Sequence, residues 1–255
     1  MKTTAIILAA GQGKRMGSDV AKQFLLLSGR PVLYYTLKNF EESMVDEIVL
    51  VTGEGQEEYC RKEIVDAYGF SKVKKIVTGG KERYHSVAKG LDAIDDDIRD
   101  TDMESKESAG GNQNPSSCRY VLIHDGARPF AAPQMIERGI LAAQKYAACV
   151  LGMPVKDTIK ISDEEGFAAD TPKRSLMWQI QTPQVFECSL IKKAYKELLL
   201  REEELLGKGI AITDDAMVVE LLLGKRVKLE EGSYHNIKLT TPEDLKIAEA
   251  LLESL

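Results

Sequence analysis

The sequence predicts an α/β fold: a doubly wound, mostly parallel, Rossmann-like sheet in a single domain spanning residues 1–255, with a protruding β-hairpin arm. Three observations carry this expectation. Strand-like runs alternate with helix-like runs in the order β-α-β-α. The strand candidates are continuous apolar runs rather than alternating ones, which suits a parallel sheet covered on both faces. The chain has 255 residues, 44% hydrophobic and 29% charged, an ordinary globular balance with enough length for a sizeable core.

The elements follow in order. The first strand is "TAIILA" (4–9), stopped by Gly11-Gln12-Gly13. Helical runs at 31–42, 57–69, 82–94 and 133–147 alternate with the strands "EIVLV" (47–51), "VKKIV" (73–77), "YVLIH" (120–124) and "ACVLGMPV" (148–155). "NIKLT" (236–240) is expected to be a last strand. A final helix starts at Thr241-Pro242-Glu243-Asp244: Thr is a good N-cap, Pro fits the first turn, and the acids favour the positive end of the helix dipole. Two segments break the pattern. Residues 95–117 are acidic and then Gly/Asn/Ser-rich, too polar to offset their ordering entropy, and read as a mobile surface loop. Residues 153–175 contain the alternating "TIKIS" and a "DEEG" turn, and read as the β-arm. Trp178 and "AYKELLLREEELL" (194–206) read as core and helix face.

Composition excludes several roles. No apolar run approaches 18 residues, so no membrane span is expected. The N-terminus begins directly with a strand-like segment and lacks a signal-peptide pattern, so a cytoplasmic location is expected. Cys60, Cys118, Cys149 and Cys188 are widely spaced and read as reduced structural thiols. The net charge of −6 argues against a nucleic-acid partner. A site for a polyanion must come from local cations, and Lys14, Arg15 and Lys22 form such a cluster.

The glycine turn fits neither common nucleotide motif. A phosphate-binding P-loop ending at Gly13-Lys14 would need Gly at 8 and Ser or Thr at 15, where Leu8 and Arg15 stand. A dinucleotide fingerprint would need a third Gly at Met16 and an acid about 20 residues on, and there is none between Asp19 and Glu41. Two readings remain: a tight strand-to-helix turn with solvated cations, or a backbone cradle for phosphates flanked by positive charge. Farther along, "YVLIHDGARPF" (120–130) is a strand emptying into a loop, where open α/β sheets carry their sites. Asp125 suits a hard divalent cation, and Arg128 suits a substrate phosphate or an acid partner. His124 reads as support for this loop. Thr158 and Thr213 read locally as turn or cap hydroxyls, and "TDDA" (213–216) as a helix cap.

Taken in order, "LAAGQGKRMG" (8–17), "AKQF" (21–24), "GGKERYHSV" (79–87), "HDGARPF" (124–130), "PVKDTIK" (154–160), "QTPQVF" (181–186), "TDDA" and "NIKLTTPEDL" (236–245) resemble the 2-C-methyl-D-erythritol 4-phosphate cytidylyltransferase family of the non-mevalonate isoprenoid pathway. The similarity runs from about 3 to 252, and only 95–117 has no counterpart. The resemblance implies a nucleotidyltransferase fold and an enzyme coupling CTP to the polyol phosphate with release of pyrophosphate, aided by Mg²⁺ or another divalent cation. It gives Arg15 and Lys22 the transition-state role beside the triphosphate. It implies that Ala9, Ala10, Gly11, Gln12 and Gly13 wrap the nucleotide, and that Gly79, Gly80 and Ser86 contact cytosine and ribose. Asp125 would bind the metal and substrate, with Arg128, Thr158, Arg174, Thr213 and Lys238 holding the polyol phosphate. The family often has Asp where Lys81 stands. The resemblance further implies a homodimer with sites shared through the arm, Arg174 reaching the partner's substrate. Ribitol-5-phosphate cytidylyltransferase is the nearest alternative, though "HDGAR", "PVKDTIK" and "TDDA" look closer to the methylerythritol enzymes.

Overall fold

The computed structural model describes residues 2–11, 21–94 and 118–254. The expected 95–117 loop therefore lies outside the described residues. In chain order the elements begin with β1 (Lys2–Ala9), a 3-10 turn (Lys22–Phe24), the small ladder β2 (Leu26–Leu27) and β3 (Arg30–Pro31), α1 (Val32–Glu41) and β4 (Glu47–Thr52). Next come α2 (Glu57–Tyr59), continuing as a wider π-helical segment (Cys60–Asp66), then β5 (Val73–Thr78), α3 (Arg83–Asp92), β6 (Cys118–Asp125), α4 (Pro133–Tyr146) and β7 (Ala148–Pro154). The last part contains β8 (Ile161–Ser162), β9 (Ala168–Asp170), β10 (Trp178–Glu187), α5 (Cys188–Leu200), α6 (Glu202–Gly207), α7 (Asp215–Leu223), β11 (Lys228–Glu231) and α8 (Pro242–Glu253).

Among the described residues, seven strands form one sheet in the order β11-β7-β10-β6-β1-β4-β5. β1 pairs in parallel with both β4 and β6, and β10 runs antiparallel between β6 and β7. The chain steps outward from β1 to β4 and β5, then returns to the other side of β1 at β6. This puts the topological switch point between β1 and β6, where ligands of open α/β sheets bind at the carboxyl ends of the strands.

Alternate residues of each strand feed two cores. Ala5, Ile7, Leu50 and Leu122 pack with Leu37 and Phe40 of α1 and Ile136 of α4. Ile6, Val51, Val121 and Ile123 pack with Val87 and Leu91 of α3, Ile191 of α5 and Val218 of α7. Because both faces are buried, these strands read as unbroken apolar runs. A smaller cluster of Leu27, Val32, Phe130, Leu239 and Ala248 seats α8.

Three elements differ from expectation. Residues 236–240 form no strand: Leu239 is buried and its N–H bonds the Ala127 carbonyl at 2.9 Å, but the segment joins no ladder. β10 escapes the sequence pattern because it is polar at its start and contains Pro183, which sits at a register shift between Ile180 and Gln184 where pairing to β7 is interrupted. β11 is a short edge strand with no strong apolar signal. Trp178 is half-buried at the start of β10, and 194–206 is split between α5 and α6. The arm contains the short hairpin β8–β9, closed by the turn at Asp163–Phe167, and its base is tied by Val155 N–H to the Met177 carbonyl at 3.1 Å. Among the described residues no helix is long and apolar enough to cross a membrane.

Candidate active site

The carboxyl ends of β1 and β6 are locked together by the Gly126 N–H, which bonds the Leu8 carbonyl at 2.8 Å. A Cβ at 126 would lie 2.9 Å from that same oxygen, so glycine permits the approach. Ala9 is buried, and its carbonyl accepts a bond from Gln23 Nε2. From the other side, the turn before α3 closes on Ala10. A Cβ at Gly79 would stand 2.5 Å from the Ala10 methyl, and one at Gly80 2.3 Å from the His85 Cβ. Gly80 N–H bonds the Ser86 hydroxyl at 3.0 Å.

These ends line a cleft of about 660 Å³. Its wall includes Ala10, Gly11, Lys22, Gly80, Lys81, Arg83, Ser86, Asp125 and Lys238. A second cavity of about 360 Å³ is lined by Arg83, Asp125, Arg128, Gln181, Thr182, Thr213, Asp214 and Lys238, among others. Arg83, Asp125 and Lys238 belong to both, so the two spaces meet at Asp125.

Asp125 is surrounded by cations: Lys238 Nζ at 2.8 Å, Arg83 Nε at 3.5 Å and Arg128 Nε at 3.6 Å. Burial alone would raise its carboxyl, but Arg83, Lys238 and Arg128 together hold it far below the usual carboxylate range. Its backbone N–H bonds the Thr182 hydroxyl at 3.1 Å, and that hydroxyl bonds His124 Nδ1 at 3.0 Å. His124 Nε2 in turn faces the Arg128 carbonyl at 3.1 Å. The Arg128 carbonyl can only accept, so Nε2 of the neutral ring carries the proton, and Nδ1 accepts from the Thr182 hydroxyl. Burial pulls the imidazole down to about 4 and keeps it neutral. His124 thus supports the loop, as its sequence setting suggests. Arg128 takes the acid-partner role towards Asp125, donates to the Asn236 carbonyl at 2.8 Å, and still lines the second cavity.

The remaining predicted residues separate into three groups. Arg15, Gln12 and Gly13 lie outside the described residues. Gly79 backs the cleft, its N–H bonded to the Thr52 carbonyl at 2.7 Å, and Thr213 lies exposed at the mouth of the second cavity. The helix cap in "TDDA" belongs to Asp214, whose Oδ1 accepts from Met217 N–H at 2.9 Å. Thr158 and Arg174 are exposed on the arm and line neither cavity, and Arg174 Nη1 donates to the Lys156 carbonyl at 3.1 Å. Sequence reasoning missed Arg83, which sits inside the quoted "GGKERYHSV" motif, along with its partner Asp215 and the Thr182 hydroxyl.

A family model described as 2-C-methyl-D-erythritol 4-phosphate cytidylyltransferase matches residues 3–101 and 108–254. The chain belongs to this family. Between its two stretches the cytidylyltransferase match leaves out 102–107, a narrower gap than the expected 95–117. The 2-C-methyl-D-erythritol 4-phosphate cytidylyltransferase of Lachnoclostridium phytofermentans is 46% identical over 251 residues, covering 98% of this chain and 96% of that one. The one from Caldanaerobacter subterraneus is 44% identical over 253 residues, covering 99% of each. Among solved structures, the 4-diphosphocytidyl-2C-methyl-D-erythritol synthase of Anaerococcus prevotii superposes with a TM-score of 0.77 at 33% identity, covering 99% of this chain and 96% of that one. The cytidylyltransferase of Thermus thermophilus gives 0.68 at 30% identity, covering 99% of this chain and 100% of that one.

Proposed function

We propose that the chain transfers the cytidylyl group of CTP to 2-C-methyl-D-erythritol 4-phosphate, giving 4-diphosphocytidyl-2-C-methyl-D-erythritol and pyrophosphate in isoprenoid precursor biosynthesis. Family membership makes it a CTP-dependent nucleotidyltransferase. The observation that carries the assignment of roles is the meeting of two cavities at Asp125, with Lys238 and Arg83 shared between them. CTP occupies the larger cleft, between Ala10–Gly11 and Gly80–Ser86. The polyol phosphate occupies the smaller cavity beside Arg128, Thr213 and Lys238. An oxygen of the polyol phosphate forms a bond to the α-phosphorus of CTP, and the bond from that phosphorus to the bridging oxygen breaks, releasing pyrophosphate. The attacking phosphate is already anionic, so the chain needs no general base. Its residues position the two phosphates and stabilise the charge that grows between them, with Lys22 on the nucleotide side and Arg15 assigned with it by the family pattern.

Among the described residues there is no cluster of three metal-ligating side chains. A single ionised carboxylate nevertheless fits Mg²⁺, which is commonly held by one or two carboxylates plus substrate phosphates. Asp125 is the residue that would hold it, and the bound ion would neutralise phosphate charge. We also assign a homodimer built through the arm, with Arg174 and Thr158 serving the partner's site. Exposed Ile161, Phe167 and Leu176 support this, because a short hairpin with an apolar surface is marginal unless covered. Buried Cys60, Cys149 and Cys188, none of them in a disulfide, suit a reducing cytoplasm. Pyrophosphate release measured with four nucleoside triphosphates against methylerythritol phosphate and ribitol 5-phosphate tests the reading. CTP with methylerythritol phosphate should exceed all other pairs. Equal or faster turnover of ribitol 5-phosphate would overturn it.

A further inference from the structure

Behind Asp125 lies a buried relay that the transfer chemistry does not itself require. Asp215, the first residue of α7, has no exposed surface. Its two oxygens receive Arg83 Nη1 and Nη2 at 2.8 Å each, and Tyr195 of α5 donates its hydroxyl to Oδ1 at 2.6 Å. Gln184 pins the start of α7 to β10, donating to Asp214 Oδ2 at 2.9 Å and accepting from Ala216 N–H at 2.9 Å. Side chains of α3 and α5 therefore converge on one carboxylate of α7 that lines neither cavity, while β10 anchors the residues on either side of it.

The geometry decides what Arg83 can do. Both terminal nitrogens are spent on Asp215, and only Nε faces Asp125. An arginine grips phosphate through its fork, and this fork is occupied. Arg83 lines both cavities all the same, with a side chain that keeps 30% of its surface exposed and so has room to turn. Without the Asp215 charge, the nearest carboxylate to capture the fork is Asp125. A bidentate pair there would tie up the Asp125 oxygens that now face the junction of the two cavities.

We propose that Asp215 and Tyr195 are positioning residues that act through Arg83: they hold its fork away from Asp125 and so keep that carboxylate aimed at the junction where the two substrates react. The test is a double-mutant cycle on the full chain, read as separate kcat and KM values for both substrates, with folding checked by circular dichroism. Asp215→Asn should lower kcat roughly 30-fold and leave both KM values within about threefold. Tyr195→Phe, which keeps the Arg83–Asp215 fork and removes one hydrogen bond, should lower kcat about threefold in the same manner and covers the case in which Asp215→Asn does not fold. In an Arg83→Gln background each substitution should cost little more, because the group it acts through is gone. Wild-type kcat in Tyr195→Phe, losses that add in full to that of Arg83→Gln, or a change confined to KM would each overturn the proposal.

Discussion

The cleft and the arm carry the same kinds of residue under opposite constraints. Asp125 is buried, meets three cations within 3.6 Å, and rests on the Thr182–His124 hydrogen-bond chain. Arg174 is exposed, and one of its nitrogens bonds a backbone carbonyl of the same arm. The cleft is organised by the ends of packed strands, so its charges stand ready before any ligand arrives. The arm is organised by two short strands with exposed apolar residues, so its geometry depends on what covers it. On the proposed dimer, damage in the cleft should therefore stay within one subunit, whereas damage in the arm should be repairable from the partner.

The largest expected effect breaks the cleft side. Lys22→Ala should reduce kcat by about 3–4 kcal/mol, far more than it raises KM for CTP, because charge at the α-phosphorus grows mainly in the transition state. A kcat within about threefold of wild type would remove Lys22 from that role.

Slightly smaller is the cost of acid on the cleft floor. Burial lowers the His124 imidazole from 6.5 to about 4, so the unfolded chain binds this proton first as pH falls. The stabilisation is complete above pH 6.5 and shrinks down to pH 4, by about 3 kcal/mol in all. Asp125 contributes in a lower window, since its stabilisation begins to fall only near the ordinary carboxylate value of 3.8. Urea denaturation between pH 7 and pH 4 should show this slope in the wild type and a shallower one in His124→Gln. Identical slopes would mean that the ring is not held neutral.

The arm side is tested by mixing. Chains carrying Lys22→Ala and chains carrying Arg174→Ala, each inactive alone, are refolded together. If Arg174 serves the partner, half of randomly paired dimers are mixed and one site of each is intact, so activity should return to about a quarter of wild type. Absence of recovery, with mixed dimers demonstrated, would confine Arg174 to its own subunit. The smallest effect lies away from both regions. Asp244 accepts bonds from Thr240 N–H, the Thr240 hydroxyl and Thr241 N–H at 2.7–2.8 Å at the start of α8. Asp244→Ala should cost about 1 kcal/mol in thermal or urea stability and leave kcat unchanged.

What could be read in advance follows from locality. β1, β4, β6 and β7 announce themselves because burial on both faces demands apolar runs, whereas the half-buried edge strand β5 carries Lys74 and Lys75. The start of α8 is legible because Thr241, Pro242 and Asp244 act within one turn. β10 is not, because Pro183 and its polar neighbours are tolerated by an interruption in pairing that has no sequence signature. "NIKLT" alternates like a strand, yet its polar end Asn236 is buried and bonds the Thr182 carbonyl at 2.9 Å. In the site, the glycine turns, Asp125 and Lys238 could be named from motifs. The Arg83–Asp215 pair joins positions 132 apart in sequence, each of which reads locally as an ordinary surface charge. An ion pair of this kind, with only its acid fully buried, becomes visible only once the fold has brought its halves together.

The antiparallel course of β10 has a further consequence. β7 and β10 are sheet neighbours running in opposite directions, so everything between Pro154 and Trp178 is topologically one long hairpin loop. An arm placed there can lengthen, shorten or change its surface without altering a single crossover of the sheet, and it always leaves and returns at the edge where the catalytic strands end. On the proposed dimer, the contacts between subunits could change through this one loop while the sheet that carries the cleft stays the same.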